Sequence, residues 1–319
     1  MPMTLAQWVN SVSLIEFEDI MREEAMGKLW NYNEVFGDMA KTDEHEIRGY
    51  IWTAFGLPSP RNYGEDIRTE EMQEVGEWTM TDTEIALGAD IDDKLLEDLR
   101  HISRKKFLNQ MGTGFGESYA QAKSLYAALI LNRAFNAVTQ PMWDAGALCD
   151  DRPLLDGSTW ANYIAAGTPS FSRIWDMIDK MKLDQRTQKG LKQRGKGTKL
   201  ILHDVHARDI HRILGQEYEF DGTIATGGTT DYVSSKNKNS LKGQNISVTY
   251  CQELTDQNAM FLQGKRSAKN FHFRPRKKMT TQWQLDGGKR NRTRSVFTHC
   301  RFLLGVTHFI DFIGAQGSA

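Results

Sequence analysis

The 319-residue chain has only three cysteines, Cys149, Cys251 and Cys300. Their odd number and wide spacing fit reduced thiols rather than a disulfide framework or a cysteine-rich zinc site. No stretch approaches the ~20 consecutive apolar residues that cross a bilayer, so no membrane partner is expected. The N-terminus lacks the basic segment and apolar run of a signal peptide. No G-x-S-x-G sequence is present to set a nucleophilic serine on an elbow. Residues 190–196, GLKQRGK, fall short of a phosphate-binding loop. Gly197 stands where a magnesium-holding Ser or Thr belongs, and the candidate strand follows the motif instead of preceding it. His203, His206 and His211, with Asp204 and Asp209, do not match the i, i+4 pair of a helical zinc site. A satisfied or solvent-facing histidine cluster is the simpler reading than a metal-dependent hydrolase. The expectation is a protein without catalysis, cofactor or metal.

What is present is a steep charge gradient. The formal net charge is −1, yet residues 1–100 hold 23 acidic and 8 basic side chains, leaving the remainder with a net of +14. Between positions 265 and 301 there are 12 Lys and Arg against one acid, Asp286. Opposite fields on separate segments favour contacts between segments or between copies of the chain.

Residues 92–135 have the pattern of one long amphipathic helix. Leu95, Leu99, Ile102, Leu108, Met111, Phe115, Tyr119, Ala122, Tyr126, Leu129 and Arg133 recur mostly at three or four residues. Asp90, Asp92 and Asp93 suit a helix N-terminus, and Pro141 follows the expected stop. Fully formed, the helix would be about 65 Å long. Gly112, Gly114 and Gly116 predict a bend, a break or very close packing.

Around this helix the chain changes character several times. Residues 1–42 resemble an apolar helical arm carrying Phe17, Ile20 and Trp30. Residues 43–90 form an acidic, extended excursion with no lysine between Lys41 and Lys94, expected to be a hairpin. Long excursions of this kind are usually functional. A short helix is expected around Phe171, Ile174, Trp175, Ile178 and Met181. A mobile basic loop is expected over 185–199, then a buried strand over 199–203. Asp204 should cap a helix bearing Val205, Ile210, Ile213 and Leu214. Residues 221–245 have the composition of surface loops, and 246–250 alternate as a strand. Strand character dominates from Phe271 onward, with a break expected at Gly305. The basic run 265–294, interleaved with Phe271, Phe273 and Trp283, would suit nucleic acid through phosphate contacts and stacking. The competing reading is a basic strand pair that faces an acidic surface of a neighbouring copy.

Several stretches resemble one family in their order. SLYAALILNRAFN (124–136), RPLLDG (152–157), TKLILHDVHARDIHRIL (198–214), DYVSSKNKNSLKGQNISVTYCQELTDQNAMFLQ (231–263) and the ending HCRFLLGVTHFIDFIG are similar to motifs of the major capsid proteins of tailed phages. The best match is the "N-x-L-x-G" loop, strand and "LTD" sequence of 231–263. The resemblance implies an α+β, Hong Kong 97-like capsid fold. It would place the N-arm at 1–42, the E-loop at 43–90 and the spine helix with part of the P-domain at 91–138. The A-domain would take 139–262, the P-domain strands 263–302 and the A-domain's C-terminal strand 303–319.

The same resemblance implies a structural shell protein, located in the virion and assembled in the host cytoplasm. Its partners would be itself, in hexamers and pentamers, a separate scaffolding protein, a portal vertex, in some relatives a decoration protein, and packaged double-stranded DNA held by non-specific contact. The lysine-free excursion departs from relatives that cross-link through an E-loop lysine. The expected inter-subunit residues are Trp52, Phe55, Glu65, Asp66, Glu70, Glu71, Glu74 and Trp78 on the hairpin. Opposite them stand Arg274, Arg276, Lys277, Lys278, Arg290, Arg292 and Arg294 of a neighbour's basic strands.

Overall fold

A computed structural model describes residues 35–38, 44–53, 55, 58, 61, 66, 69–92, 101–138, 142–187, 189–215, 218–220, 234–285 and 293–317. The arm residues Phe17, Ile20 and Trp30 lie outside the described residues, as do Leu95 and Leu99.

Two five-stranded sheets carry the chain. The first has the order β1-β12-β13-β3-β2, from β1 (Gly37–Asp38), β2 (Glu46–Trp52), β3 (Glu74–Asp92), β12 (Phe271–Leu285) and β13 (Thr293–Val306). The second has the order β10-β7-β11-β14-β6. Its strands are β6 (Tyr163–Ile164), β7 (Gly197–Leu202), β10 (Ser247–Tyr250), β11 (Met260–Gly264) and β14 (Phe312–Ala315). Two small pairs complete the strands, β4 (Asp151–Pro153) with β5 (Thr159–Ala161) and β8 (Tyr218–Phe220) with β9 (Ser234–Lys238). The main helices are α1 (His101–Asn132), α2 (Phe171–Asp179) and α3 (Ala207–Gly215).

The expected hairpin forms: β2 pairs antiparallel with β3 from Glu46↔Thr81 to Trp52↔Glu74. The strand β3 does not stop there. It continues for 19 residues, and its second half pairs with β13 from Asp82↔Leu303 to Asp92↔Thr293. Asp90 and Asp92 therefore end a strand instead of starting a helix. Ile85, Ala89 and Ile91 alternate toward the core beneath α1, and that buried face keeps these residues in the sheet.

Helix α1 runs unbroken for 32 residues, about 48 Å, straight through the glycines. Gly112 and Gly116 are buried one turn apart, whereas Gly114 between them faces open space. Its buried face changes along its length. Leu108, Phe115 and Tyr119 are buried in the first half, where Phe115 and Tyr119 join Ile91, Met279, Val296, Cys300 and Phe302 of the first sheet. Ala127, Ala128, Ile130, Leu131 and Ala134 enter the core of the second sheet. Tyr126, expected on the buried stripe, is 40% exposed, because small alanines form the contact there.

The second core is built on β7 and β11, with Leu200, Ile201, Leu202, Met260, Phe261 and Leu262 fully covered. Ile174, Met177 and Ile178 of α2 and Ile210 of α3 close it. Asn132 staples the end of α1 to the loop after β10: its Nδ2 donates to the Glu253 carbonyl, and its Oδ1 accepts from the Thr255 amide, both at 3.0 Å. The last residues of the arm are also captured. Val35 and Phe36 are buried, Phe36 packs edge-on against Phe271, and Gln263 holds the Val35 carbonyl at 3.0 Å.

Four local expectations are corrected. His203, not Asp204, caps the turn before α3, its Nδ1 accepting from the Val205 amide at 3.1 Å. Val205 is 60% exposed. The loop-like segment 221–245 contains the strand β9 where it is described. Gly305 lies inside β13; a Cβ there would sit 2.6 Å from the Met80 sulfur, so its role is close approach and not a break. The described residues of 185–196 bond across to one another, Thr187 N to Leu191 O and Gln193 N to Gln185 O both at 2.8 Å, and to the preceding helical turn through Gly195 N to Met181 O at 3.1 Å.

One buried bond fastens α1 to the first sheet. Tyr119 Oη donates to the Thr298 carbonyl at 2.5 Å, and Thr298 Oγ1 lies 2.9 Å away while donating to the Leu87 carbonyl at 3.0 Å. Replacing Tyr119 by Phe is expected to lower the stability of the unassembled subunit by about 1–2 kcal/mol. The check is the midpoint of urea unfolding, with an unchanged circular-dichroism spectrum of the native state.

Candidate inter-subunit surface

Strand alternation gives the hairpin two unlike faces. Ile47, Gly49 and Ile51 of β2 share one face with Gly76, Trp78 and Met80 of β3. This face is applied to the protein's own body: Ile51 and Met80 are buried and Trp78 is half-buried. Gly49 and Gly76 let the faces close, since a Cβ on the first would meet the Trp78 indole and one on the second the Trp143 indole. The opposite face carries Arg48, Tyr50 and Trp52. Tyr50 is 54% and Trp52 52% exposed, with Phe55 at 57% and Met72 at 49% nearby in sequence.

Trp143 ties the hairpin to the second core. Its ring stacks on Phe309 at 6.1 Å, and the Arg152 guanidinium lies 3.7 Å over the other ring's centroid. Arg152 is itself buried, paired with Asp144 and donating to the Ala147 carbonyl. His308 packs into the same cluster, its Nδ1 accepting from the Ile310 amide at 3.1 Å. Burial, and then the charge of Arg152, push the His308 imidazolium down to about 4 against a smaller opposing effect of Asp144.

The acidic and basic segments meet within one sheet. Arg276 of β12 reaches Asp82 of β3, which also contacts His45. Burial raises the Asp82 carboxyl, but the hydrogen bonds from Arg276 and His45 outweigh it and hold the group below the ordinary carboxylate value. Arg301 of β13 grips Glu84 at 2.5 Å, and Ser295 donates to Asp90 at 2.5 Å. Part of the charge gradient is therefore satisfied inside the chain. Glu70, expected to face a neighbour, pairs with Lys189 of the body at 3.0 Å.

Of the remaining expected residues, Asp66, Glu71 and Glu74 are exposed on the hairpin. Lys277 and Lys278 are exposed on β12, with Lys277 Nζ 2.8 Å from His299 Nε2. Arg274 is half-buried. The Arg294 backbone pairs with Ile91 in the sheet. Glu65, Arg290 and Arg292 lie outside the described residues. Sequence reasoning missed Tyr50, Asp82, Glu84 and Trp143. Of these, only Tyr50 had a local signal, two residues from Trp52 on an alternating strand.

Among the described residues no group of three or more metal-ligating side chains comes together. His206 Nε2 lies 3.1 Å from Asn258 Oδ1, and His211 packs on Tyr250. No helix among the described residues is long and apolar enough to cross a membrane.

No protein-family model matches the sequence, and no curated protein matches it. Solved structures do match the fold over nearly the whole chain. A chain of Mycobacterium phage Adephagia is similar with a TM-score of 0.55 at 10% identity, over 92% of this chain and 91% of that chain. One of Microbacterium phage Oxtober96 gives 0.53 at 12%, over 91% and 92%. The capsid of an empty GTA particle gives 0.54 at 11%, over 92% of each chain. The architecture is thus of the α+β class, with a long helix spanning two sheets. The particular fold is the Hong Kong 97-like fold, shared with the capsid of the GTA particle.

Two outcomes are expected from these contacts. Arg276→Ala should cost the subunit about 1.5–3 kcal/mol, read from urea unfolding at neutral pH. The stability from Asp82 is present above the ordinary carboxyl value of 3.8 and is lost as the pH falls below it. In the variant the gap between the folded and unfolded carboxyl values narrows, so this loss on the acid side of 3.8 should become smaller. His308 acts over a different window: the unfolded chain takes up a proton near 6.5 that the folded chain refuses until about 4. Stability should therefore fall as the pH is lowered across that interval, and His308→Asn, which keeps an acceptor for the Ile310 amide, should remove this slope.

Proposed function

We propose that this chain is the major capsid protein of a tailed phage or phage-like particle, a structural subunit without catalysis. Copies join into hexamers and pentamers of a closed icosahedral shell around double-stranded DNA. The observation that carries this reading is the fold likeness to the capsid of a GTA particle over 92% of both chains. A cyanophage capsid, P-SCSP1u, is similar over 91% of this chain with a TM-score of 0.53 at 10% identity. The solvent-facing aromatics of the hairpin supply a surface that a neighbouring copy would cover.

In this reading the E-loop hairpin lies across the first sheet of a neighbour. Tyr50, Trp52 and Phe55 supply most of the binding free energy, as buried aromatics do at interfaces. Glu71 and Glu74 pair with Lys277 and Lys278 of the neighbour, each such exposed pair contributing only ~0–1 kcal/mol. A separate scaffolding protein, a portal vertex and a decoration protein are the further partners of such a shell. The virion is its location, after assembly in the host cytoplasm.

Negative-stain microscopy of the purified full chain tests the proposal: closed particles of uniform size are expected, and weaker assembly at high salt. Small, soluble species that only bind DNA would overturn it. Trp52→Ala should raise the concentration needed for shells by about tenfold or more. The unfolding midpoint of the single subunit should shift by no more than about 0.5 kcal/mol, since the side chain is half-exposed there.

A further inference from the structure

We propose that the segment 192–196, joined to the segment 265–269, is the nucleic-acid contact of this protein and so marks the interior face of the shell. The inference rests on the capsid reading and adds to it a surface and a ligand chemistry, the phosphate backbone of DNA.

The geometry presents a row of cations. Arg186 and Lys192 bridge the two sides of the turn. Beyond it exposure alternates with the two-residue period of a strand: Lys192, Arg194 and Lys196 face solvent, while Gly195 and Gly197 are buried. The amides between them are already used, Gln193 N bonding Gln185 O across the turn at 2.8 Å and Gly195 N bonding Met181 O of the preceding helical turn at 3.1 Å. Successive outward cations are therefore about 6.6 Å apart along the strand direction. That is close to two charge steps of ~3.4 Å along one DNA strand.

A second segment lies alongside. Gly197 pairs with Gly264, which brings Lys265 next to Lys196. Arg266 braces the two segments, donating to Gln193 Oε1 at 2.9 Å and to the Arg194 carbonyl at 3.1 Å. Lys269 follows one turn later, its amide bonded to the Arg266 carbonyl at 3.0 Å.

Among the described residues no carboxylate pairs with Lys192, Arg194, Lys196, Lys265 or Lys269. Three acids lie nearby: Asp311 is buried and faces Arg266, Glu70 takes Lys189, and Asp156 sits against Gly190 on the Arg186 side of the turn, where Ser158 donates to it. No exposed apolar side chain interrupts the row between Lys192 and Lys196. Protein surfaces offer carboxylates among apolar and cationic groups, whereas this uniform row fits a uniform polyanion. Phosphate contacts of this kind position a duplex without reading its sequence.

The test uses the full chain below its assembly concentration and a labelled duplex of roughly 30 base pairs, with anisotropy recorded between about 50 and 200 mM salt. The triple variant Lys192→Gln, Arg194→Gln, Lys196→Gln is compared with the wild type and with Lys277→Gln, Lys278→Gln. The triple variant should bind at least about tenfold more weakly, with a salt slope shallower by about 2–3, because each lost phosphate contact contributes ~0.9. The β12 variant should bind like the wild type, and the triple variant should still form shells. Unchanged affinity and slope in the triple variant would overturn the proposal, as would loss of binding in the β12 variant instead. Normal DNA binding with failed shell formation would also overturn it, and would assign the row to a neighbour's acidic surface. The capsid reading fails separately, through absence of closed particles from the wild type.

Discussion

The packing of one helix against two hydrophobic cores governs this structure. Helix α1 lays Phe115 and Tyr119 on the first sheet and Ala127, Ala128 and Leu131 in the core of the second. The two sheets thereby share a rigid strut instead of a flexible linker. The alanines of its second half bring the helix backbone close to the second core, while the aromatics of its first half fill a wider gap above the first. Asn132 then fixes the end of the strut, and Phe135 beyond it stacks on Phe261 at 5.9 Å.

The charge gradient turns out to serve two purposes. Asp82, Glu84 and Asp90 of β3 meet Arg276, Arg301 and Ser295 of the strands beside them. These contacts help to define which strand lies next to which. What stays exposed on the hairpin is smaller and more apolar than the sequence alone suggested: Tyr50, Trp52 and Phe55, with a few exposed charges around them. Since exposed ion pairs contribute little, the aromatics set the strength of any contact and the charges its orientation.

The short sequence patterns that resembled the capsid family have identifiable structural jobs. Asn132 is the helix-end staple. Asn239 holds the Ile213 carbonyl at 2.6 Å and turns the chain toward Leu241, which is buried. Asp256 accepts from the amides of Asn258 and Gly317, and so ties the end of the chain to the loop before β11. Arg152 fills its cluster with a cation beneath Phe309. Each fixes a turn or a junction between elements, which is why their order along the chain pointed to a fold and to no reaction.

By itself the sequence determined the elements whose signal is local. The 3.6-residue period of α1, the amphipathic α2, the alternation in β2 and β10 and the apolar run of β7 all depend on neighbours within a few residues. Tertiary structure alone decided the rest. The strand β3 extends to Asp92 because β13, some two hundred residues later, offers its second half a partner. The buried face of α1 shifts because two different cores meet it. Arg276 is an internal partner of Asp82 across 194 residues, a choice that neither segment encodes locally. Periodicity reports which face a residue occupies, but only the folded chain brings together the groups that those faces meet.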